Sequence, residues 1–221
     1  MPPFSPLRLL LLLAALMFLV FSVELGVLSV AFDKLGLSPR SAYLLFLVTL
    51  AGSPVNLPLF RLKAEKPPSE ALPAQVRELF ESRGISFTGK TIIAVNVGGC
   101  VTPVAFSLYL LAHNPVDVVH AVVAVTIVAA VAYVTSSAVP GVGITMPFLI
   151  APLTSAIMAV MLDPEHRAVL AYVGGTLGVL IGADLLRLRD IGKSWAPVAS
   201  IGGAGTFDGI FLSGIIAVLL A

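Results

Sequence analysis

Apolar residues run on for about twenty positions at a time, the length a helix needs to cross the hydrocarbon of a bilayer. Seven such stretches cover roughly 9–32, 40–60, 91–112, 116–135, 142–162, 167–186 and 196–221. With 58% hydrophobic and 11% charged residues and a mean hydropathy of +1.03, the chain lacks the polar side chains to coat a soluble core. The expected fold is an all-α integral membrane protein, one domain over 1–221 with about seven transmembrane helices. The lipid bilayer is its first partner. A net charge of +1 argues against nucleic acid, and the lone Cys100 leaves no intrachain disulfide. The first stretch starts after Arg8 like a secretory signal, but no small-residue cleavage site follows, so an uncleaved span is expected.

Helix starts are expected where a capping side chain precedes proline, at Ser38-Pro39, Asn114-Pro115 and Asp163-Pro164. Orientation follows from the cations. One side carries Arg8, Arg61, Lys63, Lys66, Arg77, Arg83, Lys90, Arg187, Arg189 and Lys193; the other has Lys34, Arg40 and Arg167. The richer side is cytoplasmic by the positive-inside rule, which puts the N-terminus inside. The long polar segment, 61–90, is then a cytoplasmic loop. Within it Pro73, Val76, Leu79 and Phe80, with charges between them and Gly84 after, read as a short amphipathic helix.

Two of the apolar stretches are broken by matching glycine strings, Asn96-Val97-Gly98-Gly99-Cys100-Val101-Thr102 and Ser200-Ile201-Gly202-Gly203-Ala204-Gly205-Thr206, 104 positions apart. Glycine pairs weaken a helix, and freed backbone groups survive at membrane depth only where protein or a water-filled cavity satisfies them. Matching breaks in two halves therefore point to a binding site. If the third span corresponds to the seventh, the chain is a parallel 3+1+3 repeat. The fifth span, opened by Pro140-Gly141-Val142-Gly143 and holding Pro147 and Pro152, reads as a kinked helix.

Gly182-Ala183-Asp184-Leu185-Leu186, the string from Ser200 through Asp208 to Leu212, and Pro140-Gly141-Val142-Gly143-Ile144 together resemble an uncharacterised bacterial and archaeal membrane family, domain of unknown function 1614. The resemblance covers most of the chain after Phe32. It implies a multi-pass protein of a prokaryotic cell membrane and supplies no activity, ligand or cofactor.

The chemistry must come from polar residues inside the apolar stretches. Asp208 lies about 13 positions into the last one, where a carboxylate is costly unless protonated, paired or wet. Asp184 sits one turn before Arg187, spacing that permits an ion pair. In one reading the two broken helices meet near the midplane, where Asn96, Gly98, Gly99, Thr102, Gly202, Gly203, Thr206 and Asp208 bind an ion or small polar solute that the protein moves. In a second, Asp184 and Asp208 form the dyad of an intramembrane aspartic protease. This chain departs from the presenilin-type pattern: Ala183 precedes the first aspartate, Thr206-Phe207 precede the second, and no later span follows. A third reading is a non-catalytic membrane scaffold, and any of the three leaves room for an oligomer. His113, His120 and His166 gather on the outer side with Asp117, Asp163 and Glu165, but their spacing matches no metal motif. No cofactor is expected.

Overall fold

The computed structural model describes residues 26–63, 89–139, 143–192, 198–203 and 209–221. Seven helices of nine residues or more lie among them: α1 (Gly26–Lys34), α2 (Pro39–Gly52), α3 (Thr102–His113), α4 (Val118–Thr135), α5 (Ile150–Leu162), α6 (Arg167–Val179) and α7 (Gly209–Leu220), with a single short turn of helix at Leu188–Ile191 besides. A π-helical turn, Val97–Val101, leads into α3, and a second, Leu180–Leu185, continues α6. By length and composition α4 and α6 with its π turn can each cross a membrane; α1 and α2, bent by 116° at their junction, pass the same test together.

The helices run back and forth between two ends. Lys34, Asn114, Glu165, His166, Arg167 and Ala221 meet at one end. There Lys34 Nζ donates to the carbonyls of Val218 and Leu219, a cation set on the negative terminus of α7. The sheet, both π turns and the starts of α5 and α7 occupy the other end.

α6 is the hub. Every residue from Val169 to Thr176 is buried, the pattern of a helix with neighbours on all sides. Gly174, Gly178 and Gly182 form a ridge at four-residue spacing, where a Cβ on Gly174 would meet Ser155 Oγ of α5 at 2.6 Å and one on Gly178 would meet Val128 of α4 at 2.6 Å. Such small-residue rows let backbones approach where water cannot drive helices together. Ser155 Oγ adds a 2.8 Å bond to the Ala171 carbonyl. α4, by contrast, leaves Val118, Val119, Val122 and Val134 exposed, one flank suited to lipid.

Strands of one sheet appear inside three stretches that were expected to be helical spans. β1 (Asn56–Lys63) follows α2, pairs antiparallel with β2 (Lys90–Asn96), and β2 pairs in parallel with β5 (Val198–Ile201). The stretches 40–60, 91–112 and 196–221 are thus each part helix and part strand, and the protein is mostly helical with sheet rather than all-α. The ends of the polar loop are paired, Lys63 opposite Lys90; its amphipathic helix falls outside the described residues. The fifth stretch is corrected too. A hairpin of β3 (Ser137–Val139) and β4 (Gly143–Thr145) precedes α5, Pro147 lies before the helix, and Pro152 falls in its first turn, where no N–H is needed. Neither proline kinks it.

Of the three cap expectations only Ser38-Pro39 holds as written: Ser38 Oγ accepts from the Ser41 amide and Pro39 opens α2. Asn114 closes α3 instead, donating from Nδ2 to the Leu110 carbonyl, while Asp117 caps α4. Asp163 accepts from the His166 amide at 3.1 Å, but α6 begins only at Arg167.

Candidate functional site at the root of the sheet

The chain turns from strand to helix at Asn96, and that side chain organises the junction. Its Oδ1 accepts from the Gly99 amide at 2.7 Å, capping the π turn, while its Nδ2 donates to the Ser53 carbonyl at 2.6 Å and to Asn56 Oδ1 at 3.0 Å. Asn56 Oδ1 also accepts from Ser200 Oγ. One fully buried amide therefore ties together α2, β1, the π turn and, through Asn56, β5. Thr102 closes the same turn by donating to the Val97 carbonyl at 3.0 Å. Gly98 is required because a Cβ there would strike the Thr49 carbonyl of α2 and Ser53, the residue that closes that helix.

The second glycine string lies beside the first. β2 and β5 run in parallel with Ile92 opposite Val198 and Val95 opposite Ile201, a register of 106 positions rather than 104. At the end of β5, Gly202 and Gly203 both take positive φ, 83° and 87°, and a Cβ on Gly202 would sit 2.6 Å from Cys100 Cβ. The chain thus swings away from the strand while pressed against the first string. The Gly202 amide donates to Asp184 Oδ2 at 3.0 Å, which places the end of the second π turn against both glycine segments. π turns recur at functional sites because the widened turn re-aims a side chain.

Arg187 is engaged elsewhere than the sequence spacing suggested. It pairs with Asp190 at 3.2 Å, donates to the Tyr133 and Ser136 carbonyls at 2.7 and 2.8 Å, and stacks 4.4 Å above the Tyr133 ring. It clamps the C-terminal end of α4. Asp184 faces a cavity of about 310 Å³ walled by Thr145 and Phe148 from the hairpin side, Val179 and Ala183 from the end of α6, and Ile210 at the start of α7. One carboxylate in a mostly apolar wall that also holds Thr145 suits a small cation or a hydrogen-bond donor.

Asn96, Gly98, Gly99, Thr102, Gly202 and Gly203 are therefore gathered at one junction, with Asp184 joined to it. Thr206 and Asp208 lie outside the described residues, and so does the dyad that depends on Asp208. Ser53, Asn56 and Ser200 complete the network; as single polar residues at the edges of apolar runs they carry little signal on their own. Among the described residues no three His, Cys, Asp or Glu side chains are placed to hold a metal.

Residues 50–220 match the model of one family, described as a protein of unknown function (DUF1614). No curated protein and no solved structure matches the chain.

Proposed function

The chain belongs to the DUF1614 family, a family of unknown function, and from that premise we propose that it is a multi-pass membrane protein that lets an ion or small polar solute through, using the Asp184 cavity. The observation that carries this reading is the meeting of broken elements at that cavity. α5 and α7, with 13 and 12 residues, are about 20 and 18 Å long, too short for a hydrocarbon core of about 30 Å. Both begin beside the cavity, after a hairpin in one case and after the glycine string in the other. Discontinuous helices whose amino ends face a polar centre are the usual construction of transporter sites.

In this reading the helices run between the two faces, α4 and α6 as full crossings and the shorter ones as part-spans completed by the strands and turns that flank them, with the basic sheet end cytoplasmic and the N-terminus inside. The parallel, side-by-side glycine strings support a duplicated origin. The site lies toward the inner face: Val179 and Asp184 are about 18 and 26 Å along the α6 span from Arg167. An open sheet edge is not tolerated in hydrocarbon, so the sheet projects beyond it.

The test is flux into liposomes holding purified protein, under imposed gradients of Na⁺, K⁺ and H⁺ in turn. Flux of at least one ion should exceed that of protein-free liposomes. Asp184→Asn should cut it at least about tenfold, the equivalent of about 1.4 kcal/mol in site affinity. Folded protein that passes none of these ions would overturn cation passage, and an unaffected Asp184→Asn variant would overturn the Asp184 site.

A further inference from the structure

The β1–β2 pair puts like charges together. Lys63 stands directly opposite Lys90, and Arg61, two residues before Lys63 and opposite Ile92, shares their face because strand side chains alternate. All three cations are exposed. The other face of this pair, carrying Leu62, Thr91 and Ile93, is the one that meets the core: Thr91 and Ile93 are fully buried, and Leu62 packs on the apolar cluster that holds Ile93. β1, β2 and β5 contain no acidic residue, and among the described residues no carboxylate pairs with any of the three cations. Like charges directly opposite each other destabilise a ladder, so this face calls for an anion from outside the sheet.

What lies beside the cations selects the anion. α2 exposes Leu44, Leu47 and Val48, and exposed apolar side chains continue through Leu57, Leu59 and Phe60 of β1 up to Arg61. We propose that this corner of the sheet lies in the headgroup layer of the inner leaflet, with Arg61, Lys63 and Lys90 on the phosphates of anionic phospholipids. Apolar side chains followed at once by cations match the passage from hydrocarbon to phosphate. Arg61 to Lys63 covers about 7 Å of strand, and the headgroup layer is about 5–8 Å deep. A soluble anion would answer the charge but leave Leu57, Leu59 and Phe60 in water. The inference rests on the membrane reading, with the sheet end at the bilayer surface. It does not depend on passage of an ion through the Asp184 cavity.

Spin-label electron paramagnetic resonance measures lipid held at the protein surface. The full chain is reconstituted in phosphatidylcholine bilayers containing trace spin-labelled phosphatidylglycerol or phosphatidylcholine. Averaged over all boundary lipid, wild type should hold the phosphatidylglycerol label about twofold or more above the phosphatidylcholine label. Arg61→Gln, Lys63→Gln and Lys90→Gln together should remove at least about half of that excess, with gel filtration confirming a folded protein. Arg40→Gln with Arg167→Gln, at the opposite end, should leave most of it. In about 1 M KCl, where charges are screened beyond about 3 Å, the wild-type excess should shrink as well, and this arm needs no variant. Equal retention of the two labels by wild type, or an excess that survives in the folded triple variant, would overturn the headgroup site and leave the membrane reading standing. No immobilised lipid of either kind would remove the membrane reading itself, and this inference with it.

Discussion

Asn96 shows how one side chain can determine a junction. It satisfies an amide, a carbonyl and a second side chain at once, inside a buried site. Asn96→Ala strands the Gly99 amide and the Ser53 carbonyl, so it should destabilise the protein by about 1–3 kcal/mol. An unfolding temperature in detergent equal to wild type would contradict this. At the opposite end Asp163 makes a pH-dependent contribution. Desolvation pushes its carboxyl up, but the amide and ring of His166, with His120 further off, outweigh that and hold it below the ordinary value of 3.8. A depressed carboxyl favours the folded state while ionised. The contribution is complete above the ordinary value and is lost as pH falls through the lowered one. The stability gap between wild type and Asp163→Asn should therefore shrink as pH drops below about 4; a gap constant down to about pH 3 would refute it. The same residue marks a limit of sequence reading, because Asp-Pro signals a turn without saying how far downstream the helix begins.

At the scale of elements, the central packing was written in the chain as Gly174, Gly178 and Gly182, a four-residue spacing that signals close helix contact. Reading the stretch only for length and hydropathy missed it. Gly178→Ala should cost about 1–3 kcal/mol by forcing α6 off Val128 and Ala129. Gly26→Ala, with nothing within 4 Å, should stay within about 0.5 kcal/mol of wild type. Equal unfolding temperatures for the two variants would sink the ridge argument. The strands had signals as well: Pro58 inside one apolar stretch, and the β-branched Ile92 and Ile93 inside another. Continuous apolar character cannot by itself separate a buried strand from a helix, and length favoured the helix.

For the whole molecule, the alternation of helices between a polar end and a sheet end predicts two aqueous faces. With Cys100 replaced by Ser, single cysteines at Lys63 and Lys90 should react with an impermeant thiol reagent from the cytoplasmic side in membrane vesicles. One at Glu165 should react from the outside. Lys90 and Glu165 labelled from the same face would break the proposed topology.

The apolar, mostly helical character of the chain, the glycine breaks and the polar residues at them were determined by the sequence alone, because hydrophobicity and glycine content are local properties. Membership in a family without known activity added relatives and no chemistry. Only the tertiary structure decided that the two glycine strings lie side by side at the end of one sheet and that Asp184 bonds Gly202 while Arg187 serves α4. Each of those pairings joins residues far apart in the chain. Their register is set by which small residues let backbones approach, and single-sequence periodicity holds no record of it.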